Sequence, residues 1–174
     1  MSYRKGDIKR TGLLSDMHLI AKVSMGQILG LVEAVDEATG TADAATIAQE
    51  VDMHVGDLGP IVDAAEFLGL VAVRGGDLHI TDLGRKVLHG SVHERRVLIR
   101  GVIDNIPMFR QITGMVRSAG KPLSKRQVLK ALSDHVGSHH ADQMFRALVY
   151  WGRYVRLVEY DSDSERFSLR MPSE

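Results

Sequence analysis

The sequence has 174 residues and 44% of them are hydrophobic, which is enough apolar material for one large or two small folded domains. It contains no cysteine, and this excludes disulfides, thiolate metal sites and cysteine nucleophiles. Its apolar stretches are interrupted by acidic residues and fall short of the roughly 20 residues that a bilayer span needs. The N-terminus lacks the apolar core of a secretory signal, so we expect a cytoplasmic protein.

The net charge of zero hides a strong segregation of charge along the chain. From Leu31 to Asp82 there are eleven acidic residues and one basic residue, Arg74. From Ser91 to Lys130 there are nine basic residues and only two acidic ones. Two interpretations stay open: the two regions complement each other within one molecule or a dimer, or the basic region binds an anionic partner.

The first half of the chain predicts helices followed by a hairpin. Residues 1–17 are polar and predict a flexible N-terminal arm. Apolar residues at helical spacing predict one helix over His18–Glu37 and a short one over Asp43–Val51. A third is expected over Asp57–Leu68, with Asp57 as its N-cap and Pro60 in its first turn. Two apolar runs around Arg74-Gly-Gly-Asp77 then predict a hairpin.

The second half shows the same order of elements. Thr81 predicts the cap of a short helix that Gly90 closes, and Pro107 should break the long helical stretch that follows. Ser124-Lys-Arg-Gln127 matches a capping box, and a further helix is expected over His139–Tyr154. Apolar runs on both sides of Asp161–Glu165 predict a second hairpin.

This pattern predicts a mainly α (α+β) fold with two winged-helix-like units in tandem, each made of three helices and a β-hairpin wing. We place the units at residues 18–90 and 91–174. Gly69 and Gly152 form a local match, since both stand where a helix gives way to a strand. The predicted cores are led by Val62, Leu68 and Ile80, and by Leu132, Phe145, Leu148 and Leu169. Trp151, the sole tryptophan, could form an exposed interface anchor with Tyr150 and Tyr154. A position in the core is the stronger prediction for it.

Several motifs resemble the C-terminal AAA-associated domain that is appended to ATPase subunits of nitrate/sulfonate/taurine-type ABC importers. The resemblance spans roughly residues 40–170 and is carried by Asp57-Leu-Gly-Pro-Ile-Val-Asp-Ala-Ala-Glu-Phe-Leu-Gly-Leu70, Ile80-Thr-Asp-Leu-Gly-Arg85, His93-Glu-Arg-Arg96, Tyr150-Trp-Gly-Arg-Tyr154 and Glu159-Tyr-Asp161. It implies an accessory or regulatory module beside a transporter ATPase, with no catalytic residues of its own.

The sequence carries no Gly-x-x-x-x-Gly-Lys-[Ser/Thr] loop, so we expect this chain alone neither to bind nor to hydrolyse ATP. Whether it works as a separate protein or as part of a longer one stays open. We also expect no cofactor and no metal. His135, His139, His140 and Asp142 offer ligand atoms, but a turn at Gly137 should disrupt their helical spacing.

The expected mode of action is binding to a protein, either a transporter ATPase or a second copy in a homodimer. The alternative is a winged-helix DNA-binding transcriptional regulator, which would insert its third helix into the major groove. Against this, the third helix of the first unit carries three acidic residues and no basic one. The candidate partner-binding residues are Arg95, Arg96, Arg100, Lys125, Arg126, Lys130, Arg146 and Arg153.

Overall fold

A computed structural model describes residues 17–171 of the chain. This part is mainly helical, with two small antiparallel sheets. It divides into two compact units: an N-terminal unit, Lys22–Ile99, and a C-terminal unit, residues 100–171 together with residues 17–21. The arm predicted over residues 1–17 lies outside the described residues, except for the buried Met17.

The helical turn at residues 17–20 is α1. The N-terminal unit then contains, in chain order, α2 (Met25–Glu37), β1 (Thr41–Asp43), α3 (Ala44–Glu50), α4 (Val55–Phe67), β2 (Val71–Arg74), β3 (Asp77–Ile80) and α5 (Asp82–His89). Helix α6 (Val92–Ile103) runs across the boundary at Ile99. The C-terminal unit continues with α7 (Pro107–Ala119), β4 (Leu123–Ser124), α8 (Lys125–Val136), α9 (Ser138–Tyr154), β5 (Val158–Asp161) and β6 (Arg166–Leu169).

The prediction of one continuous helix over His18–Glu37 is wrong at its start. The chain turns after α1, and α2 begins behind a capping box that the sequence reading missed. The Gln27 N–H donates to Ser24 Oγ (3.3 Å), and the Ser24 N–H donates to Gln27 Oε1 (2.9 Å). Because this box provides partners for N–H groups that would otherwise have none, it favours a new helix start at this point.

Helix α4 also begins earlier than expected. Its N-cap is His54, so Asp57 lies in the first turn and is not the cap. Pro60 falls in the second turn, not in the first. The Asp57 carboxylate still lies near the positive end of the helix dipole, which is a favourable position for a negative charge.

Other predicted boundaries are confirmed. Thr81 caps α5, since its Oγ1 accepts from the Gly84 N–H (2.9 Å). Pro107 is the first residue of α7 and separates it from α6. The Ser124–Gln127 capping box opens α8, and Gly137 ends it.

Both predicted hairpins are present. Strands β2 and β3 pair antiparallel with Arg74 opposite Asp77, and β5 and β6 pair with Asp161 opposite Arg166. Gly75 and Gly76 both have positive φ, as the tight turn between β2 and β3 requires. Each sheet has a third strand that was not predicted, β1 or β4, because two or three residues are too few to carry an alternating pattern.

The two units repeat one arrangement. Each has the order helix, strand, helix, helix, strand, strand, and the sheets have the matching orders β1-β3-β2 and β4-β6-β5. The predicted match between Gly69 and Gly152 is wrong by one helical turn. Gly69 has a left-handed φ of 73° just after α4, and the corresponding residue after α9 is Arg156, with φ 55°. Gly152 itself lies within α9.

The cores are close to the prediction. Leu68, Ile80, Leu132 and Leu148 are buried, as expected. Val62 and Leu169 are only partly buried, which corrects their assignment to the core. Trp151 is fully buried, and its Nε1–H donates to the Ile20 carbonyl (2.9 Å), which attaches α9 to α1.

Gly84 allows the start of α5 to lie close to the Leu70 carbonyl inside the N-terminal unit. A Cβ added there would overlap the backbone carbonyl oxygen of Leu70, which cannot move independently because it accepts from the Thr81 N–H (3.1 Å). We expect Gly84→Ala to lower the free energy of unfolding by about 2 kcal/mol, through overpacking. Urea denaturation followed by circular dichroism measures it.

The matched control is Gly30→Ala, in the exposed part of α2, where an added Cβ meets nothing within 4 Å. This variant should be more stable than the wild type by about 0.5–1 kcal/mol, since alanine favours a helix over glycine. Equal effects of the two substitutions would contradict the close approach at Gly84.

The Trp151 hydrogen bond gives a second prediction. Trp151→Phe removes the only side-chain donor to the Ile20 carbonyl among the described residues and leaves part of the indole volume empty. We expect the free energy of unfolding to fall by about 2–4 kcal/mol, as measured by urea denaturation. An unchanged urea midpoint would show that the indole does not hold α9 in place.

Candidate docking surface

A groove lies along the exposed side of α9, next to β5. We call it the α9 groove. Its volume is about 540 Å³, and it is lined by Phe145, Arg146, Val149, Tyr150, Arg153, Tyr154 and Tyr160. All but one of these residues are on α9 at spacings of three or four, the spacing that places side chains on one helical face.

Aromatic packing fixes the base of the groove. The Phe145 side chain is buried, and its ring meets Tyr160 edge to face with centroids 5.1 Å apart. Phe167 of β6 packs on Phe145 from 6.3 Å. Because these rings come from one helix and two strands, the base of the groove is part of the core of the C-terminal unit.

Two arginines lie along the groove, seven residues apart on α9. Arg153 donates from its guanidinium to the Tyr160 carbonyl, and this contact connects α9 to β5. The Arg146 side chain is exposed and, within residues 17–171, makes no ion pair or hydrogen bond. Tyr150 lies between them with 42% of its surface exposed, while its ring packs edge to face on Trp151.

The hairpin tip beyond Tyr160 is negatively charged. The Ser164 hydroxyl donates to Asp161 Oδ2 (2.8 Å), and the Asp163 N–H donates to Asp161 Oδ1 (2.9 Å). These bonds, that of Ser164 most of all, hold the pKa of the Asp161 carboxyl below its ordinary value. With Asp163 and Glu165 the tip therefore carries a cluster of negative charge at neutral pH.

The predicted partner-binding residues are divided between the two units. Arg95 donates to the carbonyls of Val87 (2.9 Å) and Leu88 (3.2 Å), so it caps the end of α5 within the N-terminal unit. The Arg96 Nε is buried and has no hydrogen-bond partner among the described residues.

In the C-terminal unit, two of the predicted residues are already paired. Arg100 lies 3.5 Å from Asp104, and Lys125 lies 3.7 Å from Glu165 and over the ring of Phe145. Arg126 and Lys130 are exposed on α8. Arg146 and Arg153 both line the α9 groove.

Sequence reasoning missed Val149 and Tyr160 as members of this surface. Val149 was detectable, since it stands between Arg146 and Arg153 at helical spacing. Tyr160 was not, because its place beside α9 depends on how β5 folds back on that helix.

Other candidate sites are weaker. The rings of His18 and His140 meet edge to face at 5.3 Å, but within residues 17–171 no three His, Asp or Glu side chains are grouped to hold a metal ion. A second depression of about 610 Å³, beside the exposed Val97, lies at the start of α6. In the same described region, no helix is long and apolar enough to cross a membrane.

The sequence pattern of the C-terminal AAA-associated domain family matches residues 45–161, which is more than half of the chain and includes the whole α9 groove. Comparison with curated proteins and with solved structures gave no significant match. The extent of the family match is sufficient for assignment, and the chain belongs to the C-terminal AAA-associated domain family.

Proposed function

We propose that this chain is a non-catalytic module that regulates an ABC-transporter ATPase by binding to it in the cytoplasm. The observation that carries the proposal is the family match, because the family is associated with ABC ATPases. The α9 groove supports a binding role, since arginine and aromatic residues are the types that most often dominate protein interfaces.

We also propose that each unit is a winged helix. The support is the repeated order of three helices with a hairpin, together with the shared strand order of the two sheets. In winged helices the third helix and the hairpin are the usual contact elements. Here the corresponding elements of the C-terminal unit, α9 and β5, are the ones that line the groove.

The DNA-binding alternative has less support. Helix α4, the third helix of the N-terminal unit, exposes Asp57, Asp63 and Glu66. The hairpin of the C-terminal unit ends in the acidic tip described above. Both elements would repel the phosphate groups of DNA. DNA binding depends instead on cationic side chains that neutralise the phosphates and release their counterions.

The homodimer expected from the charge segregation stays a prediction. Its electrostatic basis is reduced by local pairing, because Arg100 and Lys125 already contact carboxylates of their own unit. Surface ion pairs of this kind contribute little and are screened by salt.

The proposal is tested with the full chain and purified ABC ATPase subunits from the same genome. We expect at least one ATPase to bind the immobilised chain and to change its rate of Mg-ATP hydrolysis on binding, while the chain alone hydrolyses no ATP. Surface plasmon resonance and a phosphate-release assay measure the two effects. Failure of every ATPase to bind, or ATP turnover by the repurified chain alone, would contradict the proposal.

A duplex DNA of mixed sequence serves as the control ligand in the same assay. We expect weak binding. Tight binding whose logarithm falls steeply with log salt, and which Arg146→Glu or Lys125→Glu weakens, would favour the DNA-binding regulator instead.

A further inference from the structure

We infer that the α9 groove binds a short acidic peptide segment of the ATPase partner. An aliphatic or aromatic side chain of that segment occupies the base of the groove, and its carboxylates meet Arg146 and Arg153. The identity of the partner rests on the proposed function, but the chemistry of the occupant rests on the groove itself.

The size and the lining of the groove fit apolar side chains. Its volume of about 540 Å³ is that of a typical ligand site and accommodates two or three side chains of a peptide. Its base is fixed by the packing of Phe145 against Tyr160 and Phe167. Because the base does not rearrange, binding costs little conformational entropy, and more of the free energy gained from the contact remains as affinity.

The arginines give the groove its preference for carboxylates. Arg146 is exposed, and none of the recorded contacts of residues 17–171 neutralises it. Arg153 uses a guanidinium N–H on the Tyr160 carbonyl, but a guanidinium has five N–H donors, so others stay available. Arginine forms paired hydrogen bonds with a carboxylate, which add orientation to the charge attraction.

The spacing of the arginines sets the spacing of the acids. Seven residues of α-helix span about 10 Å. In an extended peptide the side chains alternate between two faces, and residues four positions apart share a face at a separation of about 13 Å, which the long arginine side chains can span. The occupant therefore has two acidic residues four positions apart and an apolar residue midway between them, so that all three side chains lie on the same face of the peptide.

A nucleic acid fits this surface less well. Its phosphates would extend beyond the two arginines toward the acidic tip at Asp161, Asp163 and Glu165, where they are repelled. A peptide places carboxylates only at its two ends and avoids this cost.

The test uses an acetylated, amidated probe peptide, Glu-Ser-Trp-Ser-Glu, titrated into the full ¹⁵N-labelled chain and followed by NMR. We expect saturable shifts of the amides over residues 145–160. The charge-reversed peptide Lys-Ser-Trp-Ser-Lys should cause none, because it presents ammonium groups to the arginines.

Two matched variants locate the site. Arg146→Glu should weaken binding of the acidic peptide about tenfold or more, as expected for loss of a close charge pair and its replacement by repulsion. Arg117→Glu makes the same charge reversal on an exposed arginine of α7 that does not line the groove, and it should leave the affinity within about twofold. Circular dichroism confirms that both variants are folded.

Equal shifts with both peptides, shifts outside the groove, or equal affinity of Arg146→Glu and wild type would overturn the inference. Groove shifts caused by duplex DNA and not by the acidic peptide would also overturn it, in favour of a nucleic-acid site. The same variants are then titrated with the ATPase. An ATPase that binds Arg146→Glu as tightly as wild type would refute this groove as its docking site while leaving the proposed function intact, whereas peptide binding without ATPase binding would refute the proposed partner alone.

Discussion

Trp151 holds helix α9 in a fixed rotation, because its indole is buried and donates a hydrogen bond to the Ile20 carbonyl. When the packing fixes one side of a helix, it also fixes which residues lie on the opposite side. With Trp151, Leu148 and Phe145 directed into the core, Arg146, Tyr150 and Arg153 remain on the exposed side. The candidate docking surface therefore depends on the packing of the core behind it.

Close backbone approach is the second constraint, and both units use it. Gly84 lets α5 start against the Leu70 carbonyl, and Gly152 lets α9 lie against Val158 of β5. In each case a methyl group would separate a helix from the strand or turn beside it. The approach at Gly152 matters for the groove, since it sets the distance between α9 and the strand that supplies Tyr160.

The basic residues that lie close together along the chain have separate roles in the folded protein. Much of the basic segment is used locally: Arg95 caps α5, and Arg100 and Lys125 pair with carboxylates. The arginines that matter for the groove, Arg146 and Arg153, lie outside that segment altogether. Selective binding depends more on a few well-placed charges in a shaped, partly apolar site than on a high density of charge.

The sequence by itself determined the elements whose signals are local. The Ser124 capping box, the Pro107 break and the Gly75-Gly76 hairpin each follow from a few adjacent residues whose backbone chemistry allows little else, and the family motifs were readable for the same reason. Three features were not predictable in this way. They are the short strands β1 and β4, the correspondence between Gly69 and Arg156 in the repeat, and the place of Tyr160 in the groove. Only the tertiary structure decided them, because they depend on pairing and packing between residues far apart in the chain, and that packing is not encoded in any local pattern.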